Sequence, residues 1–183
     1  MKNVSICVLI VLAYCAPLGA QNTDSNSRRA FELGWNPYSY MRQSGENTHG
    51  GAFSLAARRS DRLGYVLDLS IHQSKNTNVV FTAYRFGPRF YFPSHGRYTP
   101  FAEVMAGGAY VGSQVTVNGT TTTTVPGKAG FSVATGGGLS MQLRPWFSWR
   151  VFQVDYSLIH ARGQDFNGVR IHTGGVFHFG PEN

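Results

Sequence analysis

The chain has 183 residues, 42% hydrophobic and 14% charged, with a formal net charge of +7, a length that suits one domain. Its two cysteines, Cys7 and Cys15, fall in an N-terminal segment that reads as cleavable, so a disulfide framework and thiol chemistry are excluded from the mature chain. The basic residues, 16 less Lys2 against 9 acidic, are scattered rather than clustered; in an exported protein that argues against nucleic acid and for attraction to anionic lipid headgroups.

Residues 1–20 have the layout of a secretory signal peptide. Lys2 supplies the positive start, Val4 to Tyr14 is mostly apolar, and Leu18-Gly19-Ala20 offers small residues for cleavage before Gln21. Bulky Tyr14 disfavours a lipoprotein site at Cys15. Residues 21–28 form a polar leader, 29–180 the folded domain and 181–183 a short tail. Nowhere in the mature chain is there a run of about 20 apolar residues, the length that a transmembrane helix needs. Strands that cross a membrane are shorter and alternate in polarity, so hydropathy averaging passes over them.

Alternating segments then follow one another. Phe31 to Trp35 opens the first, and Pro37 bends it. Gly50 to Arg58 sets Phe53, Leu55 and Ala57 on one face. Leu63 to Ser74 sets Leu63, Tyr65, Leu67, Leu69 and Ile71 against Asp68, Ser70 and His72. In Asn78 to Phe92, Val80, Thr82, Tyr84 and Phe86 oppose Phe81, Arg85 and, past Pro88, Arg89. Thr99 to Gly112 opposes Ala102, Val104, Ala106 and Tyr110 to Phe101, Glu103 and Met105. Gly130 to Arg144 opposes Phe131, Val133, Leu139, Met141 and Leu143 to Ser132, Gly136, Gly138, Ser140, Gln142 and Arg144. Phe147 to His160 opposes Phe152, Val154, Tyr156 and Leu158 to Gln153, Asp155 and Ser157, and a C-terminal strand makes eight. Eight such segments predict an all-β fold, an eight-stranded antiparallel up-and-down transmembrane β-barrel that leaves no strand edge in lipid.

The connections are expected to alternate. Arg59-Ser-Asp61, Pro93 to Gly96 and Arg144-Pro-Trp146 read as tight turns; Gln43 to Thr48, Gln73 to Asn76, Ser113 to Lys128 and Ala161 to Asn167 read as longer loops. Short turns belong to the periplasmic rim of such barrels and long loops to the outside. Within Val115 to Thr124, Asn118-Gly119 between β-branched runs signals a hairpin projecting past the membrane, broken at Pro126-Gly127.

Charge decides which face is inward. A basic side chain in lipid at the midplane costs roughly 2–4 kcal/mol, so Glu32, Asp68, Arg85, Arg89, Glu103, Gln153, Asp155 and Arg170 are expected in the lumen, where acids and bases pair. Such pairing needs no catalytic role. Gly107-Gly108 and Gly136-Gly-Gly138 make room for long side chains or sharp curvature; a phosphate-binding loop would lead into a helix, and neither run does. His172 and His178 share a face but lie roughly 20 Å apart along a strand, too far for one metal ion. His72 and His160 are expected at the outer rim as surface residues. His160 with Asp165 is the weak candidate for a lipid-modifying active site.

The end of the chain carries the most specific pattern. Ile171, Thr173, Gly175, Phe177 and Phe179 alternate with Arg170, His172, Gly174, Val176 and His178. His172, Gly174, Phe177 and Phe179 resemble, position by position, the C-terminal sorting signal of bacterial outer-membrane barrels, although Gly180 to Asn183 follow where the final aromatic usually ends the chain. With Pro100 to Gly107, Arg150 to Tyr156 and Arg170 to Gly180, the chain resembles small outer-membrane barrels of the OmpA-like transmembrane-domain type. The resemblance implies residence in the outer membrane, insertion by the barrel-assembly machinery and contact with outer-membrane lipid and lipopolysaccharide. It also implies inward-facing Glu103, Gln153, Asp155 and Arg170; a monomer without cofactor or metal is expected. No peptidoglycan-binding domain follows Phe179, so anchoring to the cell wall is not implied. The expected role is structural or surface-interacting, with an extracellular partner that composition does not name; a small pore and a lipid-modifying enzyme are the rivals. Because the terminal aromatic of such a signal is read during insertion, Phe179→Ala is expected to lower the heat-modifiable folded form in outer-membrane fractions, and unchanged folded protein would remove that role.

Overall fold

The computed structural model describes residues 31–74, 78–117, 121–161 and 163–180, with side chains described outside 113–126. The proposed signal peptide, leader and tail lie outside the described residues. Eight strands follow in chain order: β1 (Phe31–Gln43), β2 (Glu46–Arg58), β3 (Leu63–Ser74), β4 (Val79–Tyr91), β5 (Tyr98–Val117), β6 (Thr121–Arg144), β7 (Phe147–Ala161) and β8 (Gln164–Phe179). Each pairs antiparallel with its chain neighbour, and β8 closes on β1 through Phe31 opposite Phe179, forming a closed barrel. Closure pairs the wall's backbone groups all the way round, the condition for a sheet in a membrane.

Alternation sorts the side chains. Phe53, Leu69, Ile71, Tyr84, Phe86, Val104, Phe152, Tyr156 and Ile171 are exposed on the outer surface, while Asp68, Arg85, Arg89, Glu103, Asp155 and Arg170 are buried inside. Two irregularities change the register. Between Asn36 and Ser39 the β1 pairing slips, so that Tyr38 turns outward and Ser39 inward. Between Arg150 and Gln153 the β7–β8 pairing slips, and Arg150 turns inward although Phe152 does not. An inserted residue resets the period of 2 on its strand.

The connections correct one expectation. Two of those expected to be long are short: Ser44 and Gly45 alone join β1 to β2, and β8 begins at Gln164, two intervening residues after β7 ends at Ala161. Both Ser44 and Gly45 have positive φ (49° and 86°), the backbone of a two-residue type I′ hairpin. The two rims therefore do not differ by loop length as expected. They differ by one excursion: β5 and β6 have 20 and 24 residues against 12 to 16 for the others. Ser113 to Val117 pair with Thr121 to Val125 after a slip opposite Pro126-Gly127, and this hairpin stands beyond the last residues of β4 and β7 that pair with it. The Asn118-Gly119 turn lies outside the described residues.

Glycines set how tightly β4 and β5 approach. A Cβ on inward Gly107 would lie 2.0 Å from the Tyr84 carbonyl oxygen, whereas one on outward Gly108 would meet only the tip of the Tyr84 ring, 2.3 Å from its hydroxyl. Backbone cannot yield, but the exposed ring can swing into lipid. Gly107→Ala is therefore expected to cost about 1–3 kcal/mol, the usual range for overpacking, and Gly108→Ala less; urea unfolding of the two variants in the same detergent ranks them, and the reverse order would contradict this packing.

Candidate functional site

The lumen carries the dense chemistry of the described residues, in layers along the barrel axis. Toward the rim where β1 begins and β8 ends, Arg89 donates to Glu103 (Nε–Oε2 2.7 Å, Nη2–Oε2 2.6 Å). Glu32 is shared: Tyr91 donates its hydroxyl at 3.0 Å, and Arg58 and Arg89 stand at 3.4 and 3.6 Å. One layer further in, Arg170 joins two carboxylates, reaching Asp68 Oδ1 through Nη1 and Asp155 Oδ2 through Nη2, both at 2.7 Å. Arg85 stands at 3.4 Å from Asp68 and donates to the Ser132 and Ser157 hydroxyls at 2.7 and 2.8 Å. Gln153 ties the layers together, its amide donating to Glu103 at 2.6 Å and to Asp155 at 3.1 Å.

The structure thus brings Glu32, Asp68, Arg85, Arg89, Glu103, Gln153, Asp155 and Arg170 into one connected interior network. Buried charges persist only when paired and hydrogen-bonded, and the partners come from six strands, so the network crosslinks the wall. His172 lies inside beside Asp155, at 3.4 Å. His72 corrects an expectation: it is 2% exposed and bonds Ser39 Oγ through Nε2 at 2.7 Å. Its strand face had placed it with Asp68 and Ser70; the register slip at Pro37-Tyr38 supplies the partner that holds it in. His160 is exposed at the far rim, paired with Asp165. Among the described residues, no group of three or more His, Cys, Asp or Glu side chains could hold a metal ion.

Two parts of the lumen were not visible in the sequence. Arg150 is 1% exposed, yet its Nε and Nη1 have no hydrogen-bond partner; its guanidinium lies 5.2 Å from the Phe101 ring centroid. Only the slip in β7 turns it inward, and an unbroken alternation conceals that. Toward the far rim the filling is apolar: Met41, Phe81, Ala83, Ala109, Val111, Ile159 and Ala161 form a buried cluster, with Phe166 edge-on to Phe81 at 5.5 Å. The interior is therefore polar through its lower layers and closed by an apolar layer above them.

No family model matches the chain, and no curated protein matches it. Solved structures do. Neisserial surface protein A aligns with 81% of this chain and 95% of its own at a TM-score of 0.58 and 14% identity. Pseudomonas aeruginosa OprG aligns with 84% and 97% at 0.55 and 9%. Yersinia pestis Ail, solved in complex with the heparin analogue sucrose octasulfate, aligns with 84% and 99% at 0.51 and 13%. The fold is that of the small eight-stranded outer-membrane barrels, all antiparallel and closed. At these identities the likeness is one of fold.

Stranding one partner of a buried ion pair costs about 3–5 kcal/mol, whereas replacing charge by matched apolar volume can be neutral or stabilising. Glu103→Ala, which removes the nearest carboxylate of Arg89 and leaves Glu32 at 3.6 Å, is expected to destabilise toward that amount in urea, and lipid-facing Val104→Ala by less. Arg150→Met should be close to neutral, because Arg150 has no hydrogen-bonded carboxylate to strand. A silent Glu103→Ala would place that strand one register away.

Proposed function

We propose that this protein is an integral outer-membrane barrel whose role is structural and surface-interacting, performed by what stands outside the membrane rather than by transport or catalysis within it. The observation that carries this reading is the filled lumen. Four fully buried arginines, Arg85, Arg89, Arg150 and Arg170, share the interior with Glu32, Asp68, Glu103 and Asp155, and an apolar layer lies above them. Eight strands give an interior just wide enough for side chains to fill. A solute would have to displace both the ion-pair network and the Met41–Phe81–Ile159 layer. The neighbours in fold are outer-membrane proteins, which supports the location. Among the described residues, the feature that stands beyond the wall is the β5–β6 hairpin, rich in threonine and valine, and it is the natural place for an extracellular partner.

In this reading the chain ends and the turns 59–62, 92–97 and 145–146 face the periplasm, and the hairpin faces outward. Both termini on one rim follow from the even strand number. His178 and Phe179 close the barrel against β1, so the proposed assembly signal His172, Gly174, Phe177 and Phe179 lies on the closing strand. Contact with lipopolysaccharide and delivery by the barrel-assembly machinery belong to the same proposal.

Single cysteines decide location and orientation. Asn47→Cys, beside the β1–β2 turn, should react with an impermeant maleimide on intact cells, and Ser94→Cys should react only after the outer membrane is opened. The opposite pattern would invert the barrel, and labelling of neither in a membrane fraction would remove the location. In planar bilayers the purified protein should give no steady conductance, and regular single-channel steps would favour the pore.

A further inference from the structure

The rim where β1 begins and β8 ends carries a strong charge imbalance. Arg58, Arg59, Arg62, Arg97 and Arg144 lie in or beside its turns, with Asp61 as the carboxylate of those turns and Glu32 buried beneath them against Arg58. Between the β2–β3 and β4–β5 turns is a cavity of about 330 Å³, lined by Arg58, Asp61, Arg62, Tyr91, Phe92 and Ser94 among others. Its groups are held in place from below. The Arg58 guanidinium lies on the Tyr91 ring at 3.9 Å from the centroid, with Nη2 3.4 Å from Glu32. The Tyr91 hydroxyl is fixed on Glu32 and its backbone N–H on the Arg62 carbonyl. Ser94 and Thr99 bond each other at 2.9 Å, which leaves one hydroxyl hydrogen free to donate.

Three charged groups at this cavity have capacity left over. The Arg58 side chain is 29% exposed at the cavity, with Nη2 on Glu32 and its inner Nε unpaired. Arg62 and Asp61, both exposed, form no ion pair with each other or with any described residue, although they are one residue apart. Two guanidinium groups suit a phosphate, as fork-shaped donors to its oxygens. A carboxylate in the same cavity would repel a simple anion, but it suits a ligand that carries an ammonium beside its phosphate. Phe90, Phe92, Tyr98 and Trp146 are exposed around this rim, and aromatic girdles mark the headgroup level of barrels. The membrane itself therefore delivers phosphate headgroups at this depth.

We propose that this cavity binds the zwitterionic headgroup of an aminophospholipid of the phosphatidylethanolamine type, with the phosphate on Arg58 and Arg62 and the ammonium on Asp61. The site rests on the membrane reading above, but not on which rim faces the periplasm, since both faces of a lipid nanodisc are open to lipid. Failure of the labelling experiment and failure of this one are thus distinguishable.

The test uses the full folded chain in nanodiscs of phosphatidylcholine doped equally with phosphatidylethanolamine and phosphatidylglycerol, with retained lipid identified by native mass spectrometry. Phosphatidylethanolamine should be retained above both others. Arg62→Gln should lower that retention roughly fivefold, the scale of one basic residue at an anionic headgroup. Asp61→Asn should abolish the preference for phosphatidylethanolamine over phosphatidylglycerol while keeping lipid bound. Lys128→Gln, at the opposite rim, should change nothing. Because Arg58 also packs on Tyr91, Arg58→Lys rather than a truncation tests that residue, with a smaller loss expected. Equal retention of the three lipids, preference for phosphatidylglycerol, or indifference to Arg62→Gln would each overturn the proposal. Displacement of the retained lipid by millimolar soluble phosphoethanolamine would overturn the lipid as its source.

Discussion

The contact on which the rest of the interior depends is that of Arg170 with Asp68 and Asp155. The three side chains come from β8, β3 and β7; Asp155 sits directly opposite Arg170 on the neighbouring strand, and Asp68 is reached across the lumen. Taking such charges out of water is costly, and only excellent geometry with further hydrogen bonds repays it. Here the further bonds are present: Gln153 donates to Asp155, and Arg85 shares Asp68 while its remaining donors reach Ser132 and Ser157. Any slip of one residue in β3, β7 or β8 would carry a carboxylate or the guanidinium into lipid. The network therefore fixes register as much as it contributes stability, and its polar side chains depend on the closed wall that excludes lipid.

Much of this was legible in the sequence, because two hard rules coincide in a membrane barrel. Strand side chains alternate, and charge in lipid is expensive. Leu63 to Ser74 and Phe147 to His160 obey both, so Asp68 and Asp155 are identifiable as inward without any fold in hand. What was illegible lies where alternation is interrupted. The slip at Pro37-Tyr38 turns Tyr38 out and Ser39 in, and the slip between Arg150 and Gln153 brings Arg150 inside. A proline hints at the first; nothing in Arg150-Val-Phe-Gln153 marks the second. His72 failed differently: its face was right, but burial depended on Ser39 from β1, a partner about 30 residues away in sequence. The loops misled because Ser44-Gly45 makes a type I′ turn where polar residues suggested a longer excursion.

The apolar layer at the far end of the lumen follows the same logic in reverse. Inward Met41, Phe81, Val111 and Ile159 break the expectation that a barrel interior is polar throughout. They do so where the wall is about to end, and Phe166 and Val79 complete the packing. An apolar layer there excludes water from above the Arg170 network, and lower effective dielectric strengthens each pair beneath it. Gln43, Thr48 and Ser74 then return the lumen to polar character at the rim, bonded respectively to the Phe166 carbonyl, the Met41 carbonyl and Glu46.

A barrel organised in this way separates its tasks by height. The middle is an interior crosslinked by ion pairs, which favours rigidity over passage. The rim where β1 begins and β8 ends is different: Arg58, Asp61 and Arg62 surround a cavity and are only partly satisfied by the protein. The opposite rim ends in turns of a few residues except for β5 and β6, which continue beyond the last pairs that β4 and β7 provide. There the outer edges of the hairpin have no barrel neighbour, and an unpaired strand edge is a template for an extended segment of another chain. In the proposed surface-interacting reading this hairpin is the place for an external partner, and changes to its sequence are expected to leave the lumen network and the barrel intact.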